Sequence, residues 1–317
     1  NPSPALSGGY NKLFQGYTNL ADISGLLTWD TSELDNMQEM FQNCKALTSL
    51  EDLRYWDTKN VTTMFGTFNG CNGITSLSGL ENWNIEKVTT VNSMFVSNSF
   101  TNVDALHNWK TTSLKQMSGT FQNCTKLADI KGLENWDTKN VTELIQLFQT
   151  DAITDLTPIA NWNVEKVTDM RSMLYQNKQI ETLEPLMNWK TTSLKNLNLT
   201  FSQMQKLTNF KGLDNWNTSN VTNFSNMFDG TNNITTLEHI ANWDVSAGTN
   251  FNNSFYGMSK LTVAGANAVN NWRLKSTATF NNMFRNVNNK PTFMFDVDGV
   301  DVAGTWNSSG TLIPPTA

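Results

Sequence analysis

Apolar residues in this chain recur on a clock. Five residues after Trp56 comes Val61, then Met64, Phe68, Ile74, Leu77 and Leu80, before Trp83 restarts the series. After Trp83 the set is Val88, Val91, Phe95, Phe100, Val103 and Leu106, and after Trp216 it is Val221, Phe224, Phe228, Ile234, Leu237 and Ile240. Tryptophans stand at 29, 56, 83, 109, 136, 162, 189, 216, 243 and 272, which is ten of the eleven in the chain. A fixed period of this length marks a stacked repeat: one coil cannot bury its own apolar face, and its neighbours complete the core.

Two local patterns alternate within a cycle. Asn60 to Asn69 carries apolar residues at 61, 64, 65 and 68, the i, i+3, i+4, i+7 spacing of a helix face, with Thr58 or Asn60 as a cap and Gly70 as a stop. Ile74-Thr75-Ser76-Leu77 is short and β-friendly and predicts one strand per coil. Together they predict an α/β repeat solenoid of the leucine-rich-repeat type. Half a coil plus about ten coils would fill residues 12–286, each with one short parallel strand and one short helix. A slower rhythm lies over this one. Trp56-Asp57-Thr58-Lys59-Asn60-Val61-Thr62 recurs at 136 and nearly so at 216, and Trp109-Lys110-Thr111-Thr112-Ser113-Leu114-Lys115 recurs at 189. Three coils were therefore duplicated together.

After Phe284 the clock fails. Phe293 to Val297 alternates like a half-buried strand, Asp298-Gly299 signals a type I′ turn, and Val300-Asp301-Val302 begins a return strand. Residues 287–317 thus read as a capping hairpin and linker, with Trp306 packing the hairpin onto the last coil. Residues 1–11 lack the basic and apolar regions of a secretory signal and read as a linker or tag remnant. With the ending Ile313-Pro314-Pro315-Thr316-Ala317, also linker-like, they suggest a fragment of a longer protein.

The formal net charge of -6 and a pI near 5.0 argue against nucleic acid or an anionic membrane as the main partner. No apolar run approaches the ~18 residues of a membrane span, so no membrane contact is expected within this segment.

The run Asn220-Val221-Thr222-Asn223-Phe224-Ser225-Asn226-Met227-Phe228, followed by Ile234-Thr235-Thr236-Leu237, resembles the BspA-like leucine-rich-repeat surface proteins. Phe41-Gln42-Asn43-Cys44, Phe68-Asn69-Gly70-Cys71 and Phe121-Gln122-Asn123-Cys124 keep that family's cysteine. The resemblance spans roughly residues 12–286. It implies a bacterial protein, wall-anchored or secreted, that adheres to host or extracellular-matrix macromolecules. It brings no catalytic residues and fixes no ligand positions.

Candidate chemistry is sparse. The two histidines, His107 and His239, are five cycles apart and assemble no nucleophile-base set. Cys44, Cys71 and Cys124 share one clock position, which other cycles fill with Ser97, Thr231 or Gly257. They read as buried thiols, although Cys44 and Cys71 are close enough in the stack for a disulfide. Without CxxC pairing a zinc site is not expected. Tryptophan rows can bind sugars, but sharing the period of the core leucines marks these as a buried ladder. Asn60, Asn140 and Asn220 open Asn-x-Thr sequons at the predicted helix start and read as caps. Asp296 to Asp301 faintly resembles a calcium loop without its full ligand set and reads as a hairpin turn.

The surface of most interest is the outer face of the predicted sheet. With Leu50, Leu77, Leu156 and Leu237 inward, their strand neighbours face out: Ser49 and Glu51, Ser76 and Ser78, Asn102 and Asp104, Asp155 and Thr157, Thr182 and Glu184, Thr236 and Glu238. This polar and acidic ribbon is either a solvated face or a recognition strip. Lys110, Lys115, Lys126 and Lys131, repeated as Lys190, Lys195, Lys206 and Lys211, offer a rival strip spread around the coil. The reading is a non-enzymatic adhesion module for a host glycoprotein, extracellular matrix or glycan, without metal or cofactor. Its alternatives are a stalk or self-associating biofilm element, and a polysaccharide-binding module.

Overall fold

The computed structural model describes residues 10–316; the first nine residues of the expected N-terminal linker lie outside that range. The chain divides into two compact units, Asn1–Asn163 and Val164–Ala317. Each is a stack of coils with the period of the tryptophan clock, a solenoid-like repeat.

The coil from Trp56 to Trp83 shows how the repeat is built in the first unit. It contains no α-helix. Asn69 N–H donates to the Gly66 carbonyl at 3.1 Å and Cys71 N–H to Phe68 at 3.2 Å, closing one tight turn after another. The alternate N–H groups point to the next coil instead. Met64 donates to Thr90 O at 3.0 Å, Gly66 to Asn92 at 2.9 Å, Phe68 to Met94 at 2.9 Å and Gly70 to Val96 at 2.8 Å. Such a path needs a left-handed residue every fourth position, and Gly66 (φ 59°) and Gly70 (φ 75°) supply it here. Elsewhere the same two positions hold Glu39 and Asn43, Ser93 and Ser97, or, in the second unit, Leu199 and Gln203.

This overturns the predicted helix, and the reason is a coincidence of periods. Successive four-residue turns bring Met64, Phe68 and Cys71 to one side, nearly as a helix of 3.6 residues per turn would. The predicted strand moves as well. Parallel pairing runs Asn36–Thr63–Thr90–Gln116–Glu143 in the first unit and Asp169–Asn196–Asn223–Asn250–Thr279 in the second, as single-residue bridges. The segment Ile74 to Leu77 forms no strand. In its place most coils run into a short 3-10 turn, such as Glu51–Leu53, Asp104–Leu106 and Glu238–Ile240. The one α-helix among the described residues, α1 (Val263–Asn267), occupies a degenerate coil and is capped by Thr262, whose Oγ1 accepts from Gly265 N–H at 2.9 Å.

The core matches the expected spine. Tryptophans from Trp56 onward along the clock are at most 4% exposed. Their indole N–H groups are satisfied on the coil before, as in the first unit where Trp56 donates to Leu26 O at 3.1 Å, Trp83 to Leu53 at 3.1 Å and Trp109 to Leu80 at 2.9 Å. In the second unit Trp216 donates to Leu186 at 3.2 Å and Trp243 to Leu213 at 2.9 Å. Burying an indole requires such a partner. Beside this column the phenylalanines stack, with Phe41–Phe68, Phe68–Phe95, Phe95–Phe121 and Phe121–Phe148 centroids 5.5–5.9 Å apart.

The second unit ends in the expected hairpin. Strands β1 (Met294–Val297) and β2 (Val300–Ala303) pair antiparallel across Asp298 and Gly299, both at positive φ as a type I′ turn demands. Strands β3 (Thr305–Trp306) and β4 (Leu312–Ile313) follow. Trp306 packs edge-on against Phe284 at 5.2 Å, and its indole donates to Pro291 O at 2.9 Å. Since each coil gives its N–H groups to the next, the last coil would leave donors unpaired. Gly310 O accepts from Phe284 N–H at 2.9 Å, and Thr311 Oγ1 from Asn282 N–H at 2.8 Å.

Candidate functional site: registered rows on the coil surface

The polar ribbon singled out above does not lie on a sheet. Each of its pairs is one hydrogen-bonded turn: the first side chain accepts from the N–H two residues on and starts the following turn. Ser49 accepts from Glu51 at 3.2 Å, Ser76 from Ser78 at 3.1 Å, Asn102 from Asp104 at 3.3 Å and Asp155 from Thr157 at 2.8 Å, all in the first unit. In the second unit Thr182 accepts from Glu184 at 3.0 Å and Thr236 from Glu238 at 3.2 Å. Their residue types are thus accounted for by turn chemistry, while the side chains remain on the solvent side. Several of the lysines sit in local ion pairs, Lys110 with Glu86 at 3.2 Å, Lys206 with Glu181 at 3.5 Å and Lys211 with Glu184 at 2.7 Å.

The sequon asparagines cap no helix. Asn60 Nδ2 donates to Ser32 O at 2.9 Å and Asn220 Nδ2 to Thr192 O at 2.9 Å, tying successive coils together. The thiols of Cys44, Cys71 and Cys124 are free and buried, and donate to Phe14, Phe41 and Phe95 carbonyls at 2.9–3.1 Å. Burial pushes the Cys44 thiol up to about 11 and that of Cys71 to about 12. Their register partners are Asn98, Asp151 and Thr231, so Ser97 and Gly257, expected at this position, sit one residue earlier, at the left-handed site. Asn98 repeats the same contact, its Nδ2 donating to Phe68 O at 2.9 Å.

His107 lies 3.4 Å from Glu134 and is exposed. His239 Nδ1 lies 2.7 Å from Asp214, where burial would raise the carboxyl but the hydrogen bond to His239 holds it below the usual range. Each histidine has acidic neighbours and no nucleophile. Among the described residues no group of three His, Cys, Asp or Glu could hold a metal ion. Among those residues, too, no helix is long and apolar enough to cross a membrane.

One row was missed by following the apolar clock. The residue before each core tryptophan from Trp83 onward is Asn82, Asn108, Asn135 and Asn161 in the first unit and Asn188, Asn215, Asn242 and Asn271 in the second, all exposed. The signal was present as the recurring dipeptide Asn-Trp. Two grooves of the first unit border it. One, of about 290 Å³, is lined by Asn82, Asn84, Asn108 and Lys110 among others, and the second has Asn108, His107 and Lys131 on its wall.

These features define a class: a repeat protein whose coils are made of turns, with an aromatic spine inside and registered polar rows outside. The chain belongs to the family described as Mycoplasma protein of unknown function, DUF285, whose profile matches residues 9–132, 97–209 and 201–306. No curated protein matches the chain. Among solved structures it is similar to an internalin (inlF) from Listeria monocytogenes str. 4b F2365, at 17% identity and a TM-score of 0.40, over 77% of this chain and 64% of that one. The chain therefore spans less than two thirds of that internalin's length.

Proposed function

We propose that this protein is a non-catalytic binding module of a bacterial surface, adhering to host or extracellular-matrix macromolecules through rows of exposed side chains. The observation behind this reading is the registry itself. An inter-coil hydrogen-bond ladder fixes the main chain, so equivalent outward residues repeat at a constant step of about 4.8 Å. A surface of that kind suits an extended partner contacted at many weak points. The resemblance to BspA-like surface proteins points the same way.

Binding of the purified protein to immobilised mucin, fibronectin, fibrinogen and collagen tests it. Saturable binding to at least one is expected. Silence against all four, with concentration-dependent association in sedimentation, would transfer the role to self-association.

A further inference from the structure

The asparagine row has no part in holding the fold. Asn82, Asn108 and Asn161 in the first unit make no side-chain hydrogen bond, and neither do Asn188, Asn215 and Asn242 in the second; Asn135 meets only the His107 ring, at 3.3 Å. The main chain does not demand asparagine there. Each residue is the third of a turn closed by the tryptophan N–H, as in Trp83 to Leu80 O at 3.2 Å, and Thr28 and Tyr55 fill the same place in the first two coils. A second turn of the coil gives an internal control. Its third residue sits before the valine or leucine that closes it, and there the first four coils carry Glu33, Asn60, Lys87 and Ser113. The residue just before the asparagine also drifts, through Glu81, His107, Glu134 and Ala160 in the first unit and Met187, Asp214 and Ala241 in the second. Inheritance from one duplicated coil would have left both rows alike. Asparagine alone is kept.

We infer that this row is the binding strip for a neutral polysaccharide chain, one sugar residue to each coil; the inference rests on the surface-module reading above and names its ligand class. Three observations select the chemistry. A primary amide offers two donors and an acceptor without charge, matching hydroxyl groups that both donate and accept. Charges beside the row are mixed in sign, with Glu81 and Glu134 on one hand and Lys110, which meets Glu86 at 3.2 Å, on the other, so neither a polyanion nor a polycation is favoured. The step of about 4.8 Å between coils is close to one pyranose along an extended chain, whereas two residues of an extended peptide advance about 6.7 Å and would lose register. Four coils of either unit thus present four amides over about 14 Å. In the first unit the row continues into Tyr55, 72% exposed, with Arg54 5.6 Å from its ring centroid. An exposed aromatic ring in line with the amides can stack against the C–H face of a sugar.

Isothermal titration with gluco-, manno- and N-acetylglucosamine oligosaccharides of two, four and six residues tests this. One series is expected to bind, more tightly as length grows. The variant Asn108→Ala/Asn135→Ala should weaken it about tenfold, the loss of two or three hydrogen bonds, while Glu81→Ala and Glu134→Ala stay within about twofold. Asn108, Asn135 and Glu134 are exposed and Glu81 is half-buried, its carboxylate accepting from Gly79 N–H at 2.8 Å; an unchanged melting temperature confirms that each variant is folded. No heat with any series, or equal binding by the asparagine variant, overturns the inference. In that event, capture of a deglycosylated matrix protein leaves the surface-module reading standing on a protein ligand. Failure of that capture as well brings both down.

Discussion

At the scale of single residues, the buried position after each core phenylalanine is the most exacting. Cys44, Cys71, Asn98 and Cys124 each donate to a carbonyl of the preceding coil. Asp151 takes the same place, 5% exposed, and neither carboxyl oxygen has a hydrogen-bond partner. Burial pushes its carboxyl well above the usual range. The folded chain therefore holds a proton that the unfolded chain releases near pH 4. Stability is greatest below that pH and falls as pH rises toward the folded value, because the unfolded state binds fewer protons there. Asp151→Asn should abolish that decline and, by supplying the missing donor as Asn98 does, stabilise the protein at neutral pH by about 1–3 kcal/mol in urea titrations. The three thiols should resist a disulfide reagent until the chain unfolds, since burial raises all of them, Cys44 to about 11 and Cys71 to about 12, and leaves almost no thiolate at neutral pH.

At the scale of the element, the unit of construction is a four-residue turn, not a helix or a strand. Among the described residues, sixteen of its left-handed positions carry residues other than glycine, Lys12, Glu39 and Leu199 among them. A side chain in that region costs roughly 1–2 kcal/mol, repaid here by the inter-coil bond that the turn makes possible. Leu199, at φ 58°, is a branched apolar residue in this region, and Leu199→Gly should raise stability by up to about 1 kcal/mol in thermal unfolding. The converse is expected at Gly70, where an added Cβ would lie 2.4 Å from Asn43 Oδ1: Gly70→Val should destabilise by more than about 1 kcal/mol. Which turns opened with a polar side chain was legible, because Asp, Asn, Ser and Thr announce themselves. The sign of φ was not, because lysine, glutamate and leucine carry no sign of it.

At the scale of the whole molecule, a stack of this kind must close its last coil. Gly310 does so at φ 72°, with its Cβ position 2.5 Å from the Phe284 main chain. Gly310→Ala should detach the tail from Phe284 and Asn282, lowering the melting temperature and exposing donors that seed association visible in sedimentation. In the interior, Trp109→Ala removes a fully buried ring and its bond to Leu80, and should cost about 3–5 kcal/mol.

The amino-acid sequence by itself determined the period, the inward set of Trp, Val, Phe and Leu, and the closing hairpin at Asp298-Gly299. Each of these follows from burial or from a turn whose partners are close in the chain. Only the tertiary structure decided that Asn60 to Asn69 is a run of turns, that parallel pairing falls at Thr63 and Thr90, and that the outer ribbon is a line of turn caps. Those outcomes depend on hydrogen bonds to a neighbouring coil some 27 residues away, as from Gln15 to Gln42, and a pattern of apolar spacing holds no record of which backbone path reaches them.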